Sequence, residues 1–278
     1  MGYTFLRYPG GKAKAVTLSY DDAWKQDIKF SGILNKYNMK CTFNLVSDEL
    51  SCGRGLSDED VKNYILSQGH EIAVHGYMHR AEGMIRPIEG IRDILDGRIE
   101  LEKKYGIIVR GMAYPDSGIT DFANSITYET VKNYLKELDI AYARTLGGDN
   151  NSFNLPEDWH KWTPTAHHNN PLLMEYVDEF ISISESKRQP KLFYLWGHSW
   201  EFDSNHNWDL IENVCDKFSK DKDIWFATNI KIYNYVQAYN SLIYSANSKI
   251  IYNPTLFDIW IVVDGSLHCI KSGETTVI

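Results

Sequence analysis

Two histidines in the stretch HEIAVHGYMHR, residues 70–80, are spaced so that both could bind one metal ion. His75 and His79 are four residues apart, the spacing that places two side chains on one face of a helix. Pairs of imidazoles are common ligands of zinc and similar ions. The apolar run at 72–74 predicts a buried strand, so the pair would follow the carboxyl end of that strand. The plainer alternative is that these are surface histidines after a strand.

Two adjacent carboxylates, Asp21 and Asp22, directly follow another predicted strand in the stretch LSYDDAW. Neighbours at a strand end point in different directions, so one could bind a metal while the other faces a substrate. With His75 and His79 they complete an Asp-His-His set. Three protein ligands leave a position open for water and substrate, as catalytic metal sites require. The alternative is a solvated loop with an acidic helix cap.

These stretches resemble the first two motifs of the polysaccharide deacetylase family, the NodB-like carbohydrate esterases. The letters SYDD, ending in Asp21 and Asp22, are similar to its T-F-D-D motif. The letters HGYMH, from His75 to His79, are similar to its H-[ST]-x-x-H motif, although Gly76 replaces a hydroxyl residue that braces the loop. The resemblance implies that Asp22 and the two histidines hold the metal and that Asp21 is the general base.

Two later stretches resemble further motifs, and the resemblance covers about residues 14–230. The stretch VRGMAYP resembles the third motif. It implies that Arg110 orients the catalytic carboxylate and that the backbone N–H of Tyr114 helps to hold an oxyanion. The stretch LFYLWGHSW resembles the fifth motif and implies that His198 is the general acid.

The fourth motif of the family, which supplies an Asp and a Trp, has the poorest counterpart. The stretch EDWHKWTPTAHH offers Asp158 and Trp162. Together with Trp196, these residues are the candidates for substrate contact. Three carboxylates could keep His198 protonated, and the sequence leaves the choice open among Asp158, Glu201 and Asp203. The adjacent pair at 167–168 is interpreted as part of a loop flanking the groove rather than as a second metal site.

The resemblance implies a metal-dependent hydrolase that removes acetyl groups from an acetylated polysaccharide or oligosaccharide. One divalent ion is expected, zinc first, and cobalt, manganese and nickel also suit two imidazoles and a carboxylate. Asp21 would take a proton from water, and His198 would give one to the leaving group. Two alternatives stay open. One is an amidohydrolase that acts on a small non-glycan amide through the same metal site, and the other is a catalytically silent carbohydrate-binding protein.

The composition disfavours several other classes of protein function. The chain has 278 residues, is 43% hydrophobic and carries a net charge of −8. It has no basic run, which disfavours nucleic-acid binding, and no apolar run long enough to span a membrane. Its four cysteines lack C-x-x-C spacing and are predicted to be free thiols: Cys41, Cys52, Cys215 and Cys269. With no signal peptide visible at the N-terminus, a cytoplasmic location is favoured.

Short apolar runs alternate with amphipathic stretches along most of the chain, which predicts parallel strands joined by helices. Strands are expected at 15–19, 41–46, 70–74, 107–113, 139–143, 191–196 and 224–226. Helices are expected at 26–37, 58–68, 88–105, 128–138, 171–184, 207–219 and 230–245. We therefore expect an α/β fold with a distorted (β/α) barrel of about seven parallel strands over residues 1–246. Residues 247–278 are expected to form a small β-rich appendage, and the sequence predicts no oligomeric state.

Overall fold

The centre of the molecule is a curved sheet of parallel strands. The computed structural model describes residues 3–48, 55–146, 150–184 and 189–278. The sheet comprises β2 (Lys14–Asp21), β3 (Cys41–Leu45), β4 (Glu71–Val74), β5 (Gly111–Ala113), β6 (Tyr142–Arg144), β7 (Ala166–His167), β8 (Lys191–Gly197) and β9 (Ile224–Phe226). The strand order is β6-β5-β4-β3-β2-β8-β7, with β9 also paired to β2, and these pairings are all parallel.

The sheet curls toward a barrel because its two edges approach each other. A parallel bridge joins Arg144 in β6 to Trp162, in the segment that leads into β7. All eight residues of β2 are buried, as expected for a central parallel strand covered on both faces. The predicted distorted (β/α) barrel is therefore confirmed.

Helices connect the strands and cover the outside of the sheet. They are α1 (Gln26–Lys36), α2 (Asp58–Asp60), α3 (Pro87–Tyr105), α4 (Tyr128–Glu137), α5 (Leu173–Ser182), α6 (Trp200–Ser204), α7 (Trp208–Ser219) and α8 (Asn229–Asn240). Helix α2 continues as a wider π-helical segment, Val61–Leu66. It begins with a capping box in which the Ser57 hydroxyl accepts the Asp60 N–H at 3.1 Å and the Asp60 carboxylate accepts the Ser57 N–H at 2.9 Å.

The C-terminal residues form short antiparallel strands, as predicted. They are β10 (Ile243–Tyr244), β11 (Ile250–Tyr252), β12 (Ile259–Val263), β13 (Ser266–Ile270) and β14 (Thr275–Val277). Two three-stranded sheets result, β10-β11-β14 and β1-β12-β13, where β1 is the N-terminal strand Thr4–Arg7. The sequence did not predict β1. The division into 1–246 and 247–278 stays a prediction, although β1 from the first part pairs with β12 of the second.

Two buried clusters form the hydrophobic core. One fills the space between the sheet and its outer helices, and the other joins the barrel to α8 and the C-terminal strands. Cys41, Cys215 and Cys269 are free thiols, as predicted, and Cys52 lies outside the described residues. Among the described residues, no helix combines the length and the apolar composition that crossing a bilayer requires.

Candidate functional site

The polar side chains singled out above meet at the carboxyl ends of the parallel strands. Asp21 ends β2, His75 follows β4, and His198 follows β8. Residues that follow the strand ends are outside the hydrogen-bond ladder between strands, so their side chains can turn inward over the barrel. The strand ends thus bring together residues that are up to 177 positions apart.

Asp22, His75 and His79 form a three-residue cluster whose candidate ligand atoms all lie within 4.8 Å of one another. The Nε2 atoms of His75 and His79 lie 3.5 and 3.4 Å from Oδ1 of Asp22. His75 points Nδ1 at the Ala113 carbonyl at 2.9 Å, which fixes the proton on Nδ1 and leaves a lone pair on Nε2. Burial lowers the pKa of His75, which keeps the ring neutral at pH 7.

This arrangement fits a bound cation. The lone pair of a neutral imidazole faces a carboxylate oxygen, a contact that is unfavourable unless a positive charge lies between them. Asp22 Oδ1 is buried and has no hydrogen-bond partner among the described residues. Two imidazoles and a carboxylate are the donor set of a divalent transition metal with an open position. Burial would raise the pKa of Asp22, but the contact with His79 and the charge of His198 hold it well below its ordinary value.

The prediction that a helical turn pairs the two histidines is wrong. Residues 75–79 form a loop, not a helical turn. The rings meet, with centroids 4.8 Å apart, because the loop turns sharply. Gly76 and His79 both have left-handed backbone conformations, with φ of 73° and 54°. Asp22 is also left-handed, with φ of 77°. The two rings are therefore brought together by the shape of this loop and not by a helical repeat of four residues.

Asp21 is buried beside this cluster and is held by two neighbours. Its Oδ2 accepts a hydrogen bond from Arg144 Nη2 at 2.5 Å, and its Oδ1 accepts one from Asn44 Nδ2 at 2.7 Å. The expectation that Arg110 orients this carboxylate is wrong. Arg110 precedes β5 at the opposite end of that strand and pairs with Asp139 at 2.8 Å. Arg144, the last residue of β6, makes the contact with Asp21 that was predicted for Arg110.

Trp196 helps to hold the arginine that replaces Arg110 in this role. The guanidinium carbon of Arg144 lies 4.4 Å from the centroid of the Trp196 ring, within the range of a cation–π contact. Arg144 is fully buried, so it needs both the carboxylate and the ring to offset the loss of water. Trp196 itself is partly exposed, with its ring centroid 6.0 Å from that of His198. Its contact with substrate stays a prediction.

His198 lies on the other side of Asp22 and has Glu201 as its acid partner. Its Nε2 is 3.8 Å from Asp22 Oδ2, and its Nδ1 is 3.6 Å from Glu201 Oε1. Of the three carboxylates left open by the sequence, Glu201 is therefore the one in place. Burial would lower the pKa of His198, but Glu201 and then Asp21 and Asp22 raise it above its ordinary value.

Glu201 has two further histidine neighbours. The Nε2 atoms of His167 and His168 lie 3.3 and 3.0 Å from Glu201 Oε2. Burial would raise the pKa of Glu201, but the three imidazoles outweigh burial and hold it well below its ordinary value. The carboxylate is thus ionised, as a partner of a protonated His198 must be.

Three residues predicted at the site have structural contacts elsewhere instead. The N–H of Tyr114 donates to the Arg144 carbonyl at 3.0 Å, which continues the ladder between β5 and β6, so it does not face an oxyanion. Trp162 is fully buried and packs edge-on against Tyr142 and two other rings, so it cannot line a groove. Asp158 accepts hydrogen bonds from Lys132 and Tyr128, both at 2.6 Å, away from His198.

Sequence reasoning missed Arg144, Asn44 and Asp27, all of which are buried at or near the site. The signal for Arg144 was present, because a cation directly follows the apolar residues of a predicted strand. Asn44 is a polar residue within a predicted strand, which is a weaker signal. Asp27 lies on α1 and carries no pattern that would single it out.

Asp27 gives a testable effect of pH on stability. Burial raises the pKa of Asp27 to about 8, and Asp22 and Asp21 act in the same direction although Ser199 opposes them. The folded protein then binds one more proton than the unfolded chain between about pH 4 and pH 8. Stability contributed by the neutral carboxyl is therefore lost as the pH rises through this window, by roughly 1.4 kcal/mol per unit.

Urea unfolding of wild type and Asp27→Asn at several pH values measures this effect. The free energy of unfolding of wild type is expected to fall relative to that of the variant between pH 5 and pH 8. Asparagine is neutral and of the same shape, so it removes the titration without removing the side chain. Parallel curves for the two proteins would show that Asp27 does not titrate in this range.

Known proteins of one family are similar to this chain in sequence or in fold. A family model described as polysaccharide deacetylase matches residues 7–143, about half of the chain. A search of curated protein sequences gives no significant match. Among solved structures, the chain is similar to a candidate polysaccharide deacetylase from Mycobacterium smegmatis. The two share 18% identity over 84% of this chain and 94% of that one, with a TM-score of 0.61.

Two other solved structures extend this comparison. A family 4 acetyl xylan esterase from Clostridium thermocellum, in complex with a cobalt ion, has 16% identity over 79% of this chain and 90% of that one, with a TM-score of 0.50. The chain spans only 55% of a deacetylase, PplD, from Streptococcus pyogenes in complex with acetate, at 19% identity over 47% of this chain and a TM-score of 0.42. At these identities the first two similarities show a shared fold. The third, with its lower TM-score, adds nothing to that conclusion.

Proposed function

The chain belongs to the polysaccharide deacetylase family, whose model matches residues 7–143, and on this premise we propose that it is a metal-dependent hydrolase that removes acetyl groups from a glycan. One observation carries the proposal. A buried carboxylate, Asp21, is fixed by Arg144 and Asn44 between the Asp22-His75-His79 cluster and His198. Base, metal ligands and acid therefore share one end of the barrel.

The metal would be held by Asp22, His75 and His79. A divalent ion bound there would polarise the acetyl carbonyl and make water acidic enough to lose a proton near neutral pH. Zinc is the first expectation, with cobalt, manganese and nickel as alternatives, and the solved acetyl xylan esterase of the same fold is in complex with a cobalt ion.

Proton transfer would be the work of Asp21 and His198. Asp21 is oriented by Arg144 and Asn44 and would accept a proton from the attacking water. His198 Nε2 faces the same space, 4.0 Å from Asp21 Oδ2, and would donate a proton to the leaving amine or alkoxide. Glu201 would keep that imidazole protonated and fix its orientation through Nδ1.

A sugar substrate is supported by the indole rings around the site. The centroid of Trp200 lies 6.1 Å from that of His198 and 6.1 Å from that of Trp24, and Trp24 Nε1 donates to Asp22 Oδ2 at 3.3 Å. These rings are partly exposed, and sugar rings stack on such faces. The family name and these rings are what favour a glycan over a small amide.

Acetate release tests the proposal. Metal-loaded protein would be incubated with chito-oligosaccharides, peptidoglycan fragments and acetylated xylan, and Asp22→Ala would be the control that lacks a metal ligand. Release by wild type and not by the control is expected for at least one glycan. Release from small amides alone would favour an amidohydrolase, and glycan binding without release would favour a silent carbohydrate-binding protein.

The pH dependence of turnover tests the role of Glu201. Activity should fall as the pH rises through the pKa of His198, because the neutral ring has lost the proton that it donates. Glu201→Gln removes the charge that raises this pKa, so the alkaline fall should move to lower pH. At pH 8 we expect the kcat of Glu201→Gln to be about tenfold lower than that of wild type.

The matched control is Asp203→Asn on the same short helix. Asp203 accepts hydrogen bonds from Gln26 and Trp208 at 2.9 and 2.7 Å and does not contact His198. Its profile of kcat against pH should match that of wild type. An unmoved alkaline limb in Glu201→Gln would contradict the assignment of Glu201 as the partner of His198.

A further inference from the structure

The loop that carries both histidine ligands is held in a conformation that needs support. It joins β4 to the segment before α3, and His79 adopts a left-handed backbone with φ of 54°. For a residue other than glycine this conformation costs about 1–2 kcal/mol. Such a conformation persists only where the surrounding structure fixes it. The position of the His79 ring therefore depends on what holds the backbone just before it.

Asp93 on α3 binds this loop at two successive residues. Its backbone carbonyl accepts the Tyr77 N–H at 3.0 Å, and its carboxylate oxygen Oδ1 accepts the Met78 N–H at 2.9 Å. Both N–H groups lie between His75 and His79. Asp93 is 94% buried, so these bonds are shielded from competing water.

Two glycines allow α3 to lie this close to the loop. A Cβ on Gly76 would lie 2.4 Å from Asp93 Oδ2, which is too close for any real contact. A Cβ on Gly97 would lie 3.1 Å from the Tyr77 nitrogen. The hydroxyl residue that the motif leads one to expect at position 76 is thus absent, and the Asp93 carboxylate lies where its side chain would begin.

We propose that Asp93 is a positioning residue that sets the affinity of the site for its metal. It does so by fixing the Tyr77 and Met78 backbone, and through it the left-handed His79, whose Nε2 lies 3.4 Å from Asp22 Oδ1. The inference rests on the proposed function in one respect, namely that Asp22, His75 and His79 bind a metal. It adds that the helix following the loop, through one carboxylate, determines how well they do so.

Zinc affinity measured by competition with a chromophoric chelator, without substrate, tests this inference. Asp93→Ala is expected to weaken zinc binding about 10–100-fold, the usual cost of losing a group that orients a ligand. Asp93→Asn keeps an oxygen that can accept the Met78 N–H, so it should retain most of the affinity. Asp96→Ala, on an exposed position of the same helix, should bind zinc like wild type.

A second variant guards against loss of folding in Asp93→Ala. Gly97→Ala should favour the helix itself by about 1 kcal/mol, yet its Cβ would push α3 away from Tyr77. It should also weaken zinc binding, and the cobalt-substituted variant should show altered d–d absorption. If Asp93→Ala and Gly97→Ala both bind zinc as tightly as wild type, the positioning role of Asp93 is wrong and the proposed function still stands. Absence of zinc binding in wild type would instead overturn the proposed function and this inference together.

Discussion

Removal of the metal with a chelator is expected to reduce acetate release to background, and added zinc or cobalt should restore it. Without the ion, the lone pair of His75 Nε2 faces the buried Asp22 Oδ1 at 3.5 Å with no charge between them. Neither Asp21 nor His198 can then act on an activated water. This is the largest effect that the geometry predicts, because every later event of the proposed reaction needs the ion.

Thermal unfolding provides an independent measure of the same site. A ligand present at 100 to 1,000 times its dissociation constant stabilises the folded state by about 3–4 kcal/mol. For a chain of this length, chelation should lower the Tm by roughly 5–15 °C. Asp22→Ala should show no such shift, since it lacks a ligand. A wild-type Tm and activity that ignore the chelator would refute the metal assignment.

Replacement of Asp21 by asparagine is expected to lower kcat by about 10²–10⁴-fold, the usual contribution of a general base. The change should also destabilise the fold by about 3–5 kcal/mol, because Arg144 is left as a buried charge without its partner. The new amide group would in addition face a donor, either on Arg144 or on Asn44. Metal binding should persist, since Asp22, His75 and His79 are untouched.

Steady-state acetate release and urea unfolding, with zinc affinity measured in parallel, check this second expectation. Arg144→Met should lose both activity and stability, because it removes the cation that holds Asp21. Arg110→Met is the matched control, since Arg110 pairs with Asp139 and lies away from the site. Full activity in Asp21→Asn would exclude Asp21 as the base.

The metal cluster could be predicted because strand ends are visible in the sequence. An apolar run followed by Asp21-Asp22, and another followed by His75, indicate polar groups at the carboxyl edge of one sheet. The parallel barrel makes those edges coincide, so these local patterns together with the family resemblance were enough to identify the cluster. The regular helices and the C-terminal strands were found for the same reason, since each depends on local periodicity.

The neighbours of Asp21 could not be assigned from local patterns. Arg110 and Arg144 both flank short strands, one before β5 and one at the end of β6. Only the direction of each strand decides which arginine reaches the site. Trp162 shows the same difficulty, because a tryptophan in a polar stretch can be buried by a segment that bridges two edges of a barrel. These outcomes depend on long-range packing.

The pairing of β1 with β12 has a consequence for how the chain is made. Thr4 lies opposite Val263 and Arg7 opposite Trp260, so the partner of β1 is synthesised more than 250 residues later. Until then the N-terminal strand is an open edge, and such edges invite association between nascent chains. The hydroxyl of Tyr235 on α8 donates to the Arg7 carbonyl at 3.0 Å and accepts the Trp260 N–H at 3.0 Å. Expression of a fragment that stops before β12 would leave this edge permanently open, so the catalytic barrel is best produced together with its C-terminal strands.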